Sequence, residues 1–300
     1  MSALPKRFCE CFSSTESFHI DAGFKTFAVQ HFHYAKGGLT RVIRNHSYRD
    51  DRGVATLTLA QPEKHNAMSA RMIDELTEAT EVLGNDNDVR IVILTGEGKS
   101  FCAGGDLVWM QSQFKADRST RISEALKLAR MLRALNEIPK PLIGRIQGQA
   151  FGGGIGMMCV CDVSIGADHA KFALTETKLG LVPATISPYV IGRMGEAKAR
   201  RVFMSARRFA APEAVELGLL AKSVPESELD AAIEFEVEPF LSVAPGAVSI
   251  AKSLTNKLGS IINDEAMQMS AELLADCWEK PEAHEGITAF LEKKKPSWIS

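Results

Sequence analysis

From Val54 onward the chain alternates between short apolar runs and stretches whose apolar residues recur at helical spacing. The stretch Val54-Ala-Thr-Leu-Thr-Leu59 alternates and is rich in β-formers, so it predicts a strand. Ser69 precedes Met72, Ile73, Leu76, Thr80 and Leu83, which predicts a capped amphipathic helix ending near Gly84 and Asn85. Residues 91–94 are apolar without a break and predict a strand buried on both faces. Ile122, Ala125, Leu126, Ala129, Leu132 and Leu135 mark a second long helix that stops before Pro139. Strands are predicted over 142–146, 162–167 and 171–175, with a buried helix over 155–160. After Gly195 the pattern turns helical, over 196–204, 212–218, 226–242, 246–257, 263–278 and 281–292. Strands alternating with helices predict an α/β fold with a mainly parallel sheet, followed by a helical layer. The expected division is an N-terminal extension over 1–48, a core over 49–205 and a helical region over 206–300.

Composition narrows the class. With 300 residues, 45% of them apolar and 24% charged, the chain has the makings of an ordinary globular protein. Its formal charge of −2 gives no electrostatic case for nucleic acid or a membrane surface. No apolar run approaches the roughly 18 residues needed to cross a bilayer. Six cysteines are too sparse for a disulfide scaffold and imply reduced thiols and a cytoplasmic location. Residues 1–48 show neither a secretory apolar core nor a basic amphipathic helix, and are expected to form a mobile extension. Cys9, Cys11, His31 and His33 have one-residue spacings that do not suit a zinc site, so no metal is expected.

Two glycine-rich turns carry the candidate chemistry. Ser100-Phe-Cys-Ala-Gly-Gly-Asp106 follows a buried strand, and Gly148-Gln-Ala-Phe-Gly-Gly-Gly-Ile-Gly156 lies between a strand and a helix. Glycines at such points let a ligand approach the backbone, and a helix start presents free N–H groups to negative charge. Two such turns could stabilise an enolate formed from a carbonyl or thioester; they could equally be tight turns kept for packing. The spacing does not satisfy a dinucleotide fingerprint, a P-loop or a nucleophile elbow. Cys102 has no basic neighbour in sequence and reads as an inert thiol. Asp106 could cap the following helix or contact solvent near a ligand.

Phe101-Cys-Ala-Gly-Gly-Asp106, Gly148–Gly154, Cys161-Asp162 and Phe172-Ala-Leu-Thr-Glu-Thr-Lys-Leu-Gly-Leu-Val-Pro183 together resemble the crotonase (enoyl-CoA hydratase/isomerase) superfamily. Pro62-Glu-Lys-His-Asn-Ala67 and Glu285-Gly-Ile-Thr-Ala-Phe-Leu-Glu-Lys-Lys-Lys-Pro296 extend the likeness over about residues 50–298. The resemblance implies a spiral ββα core, a helical C-terminal trimerisation region, and an acyl-CoA thioester substrate handled without cofactor or metal. It implies that the N–H groups of Ala103 and Gly153 hold the thioester oxygen and that Glu176 moves protons. It implies that Lys64, Ala67, Gly104, Gly105 and Asp106 line the substrate, and that Phe290 and Lys293 reach the adenine end from a neighbouring subunit in a homotrimer or homohexamer.

One departure bears on the reaction. Hydratases of this superfamily commonly use two glutamates, and the first of those positions is Gly156 here. Glu176 alone suffices for a proton shuttle between two carbons, which is isomerase chemistry. Against that, Gly180-Leu-Val-Pro-Ala-Thr-Ile-Ser-Pro-Tyr189 resembles a subgroup associated with methylglutaconyl-CoA and carboxygeranoyl-CoA, in which the first glutamate is also absent. The expected activity is hydration of a branched or carboxylated enoyl-CoA, with isomerisation the alternative. A non-catalytic acyl-CoA- or RNA-binding scaffold is the alternative from another class.

Overall fold

A computed structural model describes residues 43–44, 49–259 and 263–298. Cys9, Cys11, His31 and His33, and all but two residues of the expected extension, lie outside the described residues. The first half contains β1 (Ile43–Arg44), β2 (Val54–Leu59), α1 (Ala70–Asn85), β3 (Ile91–Gly96), β4 (Ser100–Cys102), α2 (Leu107–Lys115) and α3 (Arg118–Glu137). Next come β5 (Leu142–Ile146), β6 (Gln149–Phe151), α4 (Gly153–Val160), β7 (Val163–Ala167), β8 (Lys171–Ala173), α5 (Ser187–Met194) and α6 (Glu196–Phe203). The chain ends in β9 (Phe209–Ala210), α7 (Ala211–Glu216), β10 (Lys222–Val224), α8 (Leu229–Leu241), α9 (Pro245–Leu258), α10 (Asp264–Trp278) and α11 (Pro281–Leu291). Short 3₁₀ turns occupy Pro62–Lys64, Glu176–Leu179 and Glu226–Glu228.

The larger sheet runs β1-β2-β3-β5-β7-β10, parallel throughout except for β1. β2 and β3 pair over six positions, from Val54 opposite Ile91 to Leu59 opposite Gly96. Successive side chains of these strands enter different cores, as the two-residue period demands. Leu57, Leu59, Val92, Leu94 and Leu142 face the main core with α1 and α3, whereas Val54, Ile91, Ile143 and Ile165 meet Leu229, Ile233 and Val237 of α8. Both faces are therefore covered, which is what the unbroken apolar runs require. Ser69 caps α1 by accepting from the Met72 N–H at 3.2 Å.

The second sheet, β4-β6-β8-β9, was not predicted as a unit. Its strands have only two or three residues; β4 and β6 lie in the glycine-rich turns and β8 falls within the strand expected over 171–175, while Phe101, Cys102, Ala150 and Phe172 drop from the sheet into the main core. The sheets take their last strands from 209–210 and 222–224, so strand pairing continues past the expected boundary at 205. At the C-terminal end, Cys277 and Trp278 of α10 and Ala283 and Ile287 of α11 pack with Leu181. This cluster seats α11 on the turn that carries Glu176. Among the described residues no helix is long and apolar enough to cross a membrane.

Candidate active site

Both glycine-rich turns open on one cavity of about 850 Å³, a size suited to a small-molecule acyl group. Its wall is mainly apolar, with Met68, Ile73, Trp109, Leu128, Val182 and Trp278 among the lining residues. Of the residues expected to touch substrate, Lys64, Ala67, Ala103, Gly104, Gly105 and Asp106 line it, as do Gly153 and Glu176. Phe290 also lines it, on its own chain's cavity, whereas the resemblance assigned that residue to a neighbour's. Lys293 is exposed, takes a positive φ of 55° after α11, and is not part of the wall.

Glu176 begins the 3₁₀ turn Glu176–Leu179. The residue keeps some contact with the cavity, but its Oε2 is fully buried and has no hydrogen-bond partner among the described residues. Burial pushes its carboxyl up from the ordinary 4.5 to about 7, only partly offset by backbone hydrogen bonds from its own turn. A carboxyl poised there can take or give a proton near neutral pH. Its position depends on Gly152, which has φ +49° and ψ −118°. A Cβ at 152 would stand 2.8 Å from Glu176 Oε1, so the glycine admits both the backbone turn and the carboxylate.

Gly152 is also the N-cap of α4; its carbonyl accepts from the Ile155 N–H at 2.9 Å. Gly153 is the first helical residue, so its N–H has no intrahelical acceptor, and the positive end of the helix lies at the cavity. The other expected donor differs. The Ala103 N–H donates to the His65 carbonyl at 3.0 Å. The expectation of two free amides is thus corrected: the Gly153 amide is open, and the Ala103 amide is engaged within the scaffold.

The cause lies in the Pro62–Ala67 segment. His65 and Asn66 both adopt φ 53°, a left-handed pair that turns the His65 carbonyl toward β4. Asn66 is fully buried and locks this turn: its Oδ1 accepts from the Gln61 N–H, and its Nδ2 donates to the carbonyls of Glu97 and Ser100. His65 Nδ1 lies 2.9 Å from Ser100 Oγ. The Met68 N–H donates to the Gly104 carbonyl at 2.7 Å, and Gly104 itself takes φ +95°.

Asp106 resolves as a cap, its Oδ1 accepting from the N–H groups of Val108 and Trp109 at 2.9 and 3.1 Å. Burial pushes the thiols of Cys102, Cys159 and Cys161 up to about 12, so they are protonated at neutral pH and inert as nucleophiles. Position 156 faces an apolar wall: a Cβ there would meet Ile186 Cγ2 at 2.5 Å and Ile186 Cβ at 3.0 Å. Ile186 thus fills the space that a side chain at 156 would need. Sequence reasoning missed Thr185, Ile186 and Arg208 as cavity residues. Arg208 sits 5.5 Å from the Phe151 ring centroid and makes no ion pair among the described residues.

A mainly parallel sheet, with two glycine-rich turns and a buried carboxylate at one apolar cavity, has the crotonase fold. A family model described as enoyl-CoA hydratase/isomerase matches residues 49–300, and the chain belongs to that family. It is 31% identical over 249 residues to a crotonyl-CoA hydratase of Syntrophomonas wolfei, covering 82% of this chain and 95% of that one. It is 32% identical over 247 residues to an enoyl-CoA hydratase of Alternaria alternata, covering 81% and 80%. The crystal structure of an enoyl-CoA hydratase from Shewanella pealeana superposes with a TM-score of 0.70 at 36% identity, over 86% of this chain and 96% of that one.

Proposed function

We propose that the protein adds water across the 2,3 double bond of an enoyl-CoA thioester whose acyl chain is branched or carboxylated. The observation that carries this reading is Glu176, a carboxylate with a buried, unpartnered oxygen set against the open start of α4. Ionised Glu176 takes a proton from water as the water oxygen bonds to C3. The π electrons move to the thioester oxygen, and the carboxyl then returns the proton to C2. The Gly153 N–H and the α4 dipole hold the enolate charge; one such donor is worth roughly 2.7–4 kcal/mol. This route asks for acid–base chemistry alone.

The apolar cavity supports a branched acyl group, and Arg208 on its wall supports a carboxylate at the far end of that group. The methylglutaconyl-CoA-like and carboxygeranoyl-CoA-like subgroup remains the nearest reading of the segment after Glu176. Lys64 and Lys178 on the same wall suit the CoA phosphates. Exposed Ile250, Leu254 and Leu258 on α9 support assembly into a trimer or hexamer, in which Lys293 would serve a neighbour's adenine. The four described cysteines are buried free thiols, which suit a reducing compartment such as the cytoplasm.

The closed wall at Gly156 favours one alternative, a single-carboxylate isomerase moving a double bond between the 3,4 and 2,3 positions. Feeding 2-enoyl and 3-enoyl thioesters side by side, with products weighed by mass spectrometry, separates the two. Hydration predicts a gain of one water from the 2-enoyl substrate and its loss in Glu176→Gln; a shifted double bond without added water identifies the isomerase. Tight acyl-CoA binding with no turnover of either substrate would identify a scaffold instead.

A further inference from the structure

Ile186 and Glu176 both line the cavity, and the glycines of α4 place the two side chains relative to each other. A Cβ at 152 would stand 2.8 Å from Glu176 Oε1, and a Cβ at 156 would stand 2.5 Å from Ile186 Cγ2. The Gly156 N–H donates to the Gly152 carbonyl at 3.3 Å, which sets position 156 one turn, about 5.4 Å, further along the helix. Ile186 thus stands about one turn deeper along α4 than the carboxylate. It has nowhere to retreat. Its side chain belongs to the main core, and Leu132 Cδ1 lies 3.8 Å from the same point at 156. Its carbonyl accepts from the N–H groups of Tyr189 and Val190 at 3.2 and 3.0 Å, so the start of α5 fixes its backbone. A β-branched side chain is stiff at χ1, and a close-packed core transmits strain rather than absorbing it.

Resting on the hydration reading above, we infer that Ile186 selects the size of the branch on C3 of the enoyl group. With the thioester oxygen at the Gly153 N–H and C2 and C3 beside Glu176, a C3 substituent directed along α4 ends on the Ile186 side chain. An apolar, immobile wall at that point gains contact from a methyl, which a hydrogen leaves unmade. An ethyl group collides with it, because neither Ile186 nor the core behind it can give way. The substrate class is a 2-enoyl thioester with a methyl branch on C3. Ile186 touches the acyl group and takes no part in the making or breaking of bonds.

The test measures kcat/KM for hydration of 2-enoyl-CoA thioesters carrying hydrogen, methyl or ethyl as the second substituent on C3. It compares wild type with Ile186→Val, Ile186→Ala and Gly156→Ala. Ratios between substrates are taken within each protein, so a loss of folded enzyme cancels. Wild type takes the methyl substrate about tenfold better than the ethyl one, the discrimination expected of one methylene in an apolar pocket. Ile186→Ala raises the ethyl-to-methyl ratio by about tenfold or more, and Ile186→Val raises it by less. Gly156→Ala pushes Ile186 into the cavity and moves selectivity the other way, lowering the methyl substrate relative to the hydrogen one. A wild type that takes ethyl as well as methyl overturns the role of Ile186 and leaves hydration standing. So does an ethyl-to-methyl ratio in Ile186→Ala within about threefold of the wild-type ratio. Absence of hydration of all three substrates by wild type overturns the functional reading itself, and the inference with it.

Discussion

Replacing Glu176 by glutamine removes a charge that the fold holds at a cost, and the pH dependence of that cost can be worked out. Burial raises the folded carboxyl from 4.5 to about 7, so the folded state binds the proton more tightly than the unfolded chain. A raised folded value gives a stabilising contribution that is complete below about 4.5 and disappears as pH rises through about 7. Linkage over that window gives a loss of about 2.5 kcal/mol between roughly pH 5 and pH 8.5. This is an upper value, because the residue keeps some contact with the cavity. Glu176→Gln cannot ionise, so its stability lacks this contribution at every pH. The difference between the two proteins should therefore drift in favour of the variant by up to about 2.5 kcal/mol on going from pH 5 to pH 8.5. Any constant penalty for burying the amide cancels in that drift. Urea unfolding at fixed protein concentration, repeated at half-unit pH steps, reads it directly. Parallel curves for the two proteins across the range would refute the reasoning, because Glu176 would then have an ordinary carboxyl.

The same carboxyl should set the acid limb of kcat/KM for hydration, with the rate rising toward a plateau above about pH 7 as Glu176 ionises. A pH–rate profile checks it. Gly152→Ala forces a side chain into a positive-φ turn beside Glu176 Oε1; it should cost about 1–3 kcal/mol in unfolding experiments and lower kcat more than it raises KM. Gly156→Ala drives a methyl into Ile186 and should cost about 1–3 kcal/mol. Combined with Ile186→Ala, its penalty should shrink, giving a coupling of about 0.5–3 kcal/mol in a double-mutant cycle. Asp106→Ala removes the cap that accepts from Val108 and Trp109 and should cost about 1 kcal/mol by thermal unfolding.

The larger sheet was legible because β2, β3 and β5 carry either alternation or an unbroken apolar run, each with a direct physical cause in covered faces. Of the second sheet only β8 was legible, within the strand expected over 171–175; β4 and β6 lie in segments whose glycines read as turns, and β9 has too few residues to show a period. Helix α2 was marked only by its cap candidate Asp106. Leu107 and Val108 are exposed, and of its residues only Gln113 is buried, so no apolar stripe marks it. At the site, Glu176 and the glycine turns stood out through residue type and order. The engagement of Ala103 by His65 could not be read in that way, because it depends on two consecutive left-handed residues held by Asn66. An asparagine ahead of an alanine is a weak local hint of such a turn. Thr185 and Arg208 reach the cavity only through tertiary folding, from segments without periodicity.

The most direct measurement is a crystal structure of the protein with a saturated or 3-hydroxyacyl-CoA bound. The account predicts the thioester oxygen about 3 Å from the Gly153 nitrogen, with the Glu176 carboxyl beside C2 and C3. An acyl group seated with its thioester oxygen away from the start of α4 would contradict it.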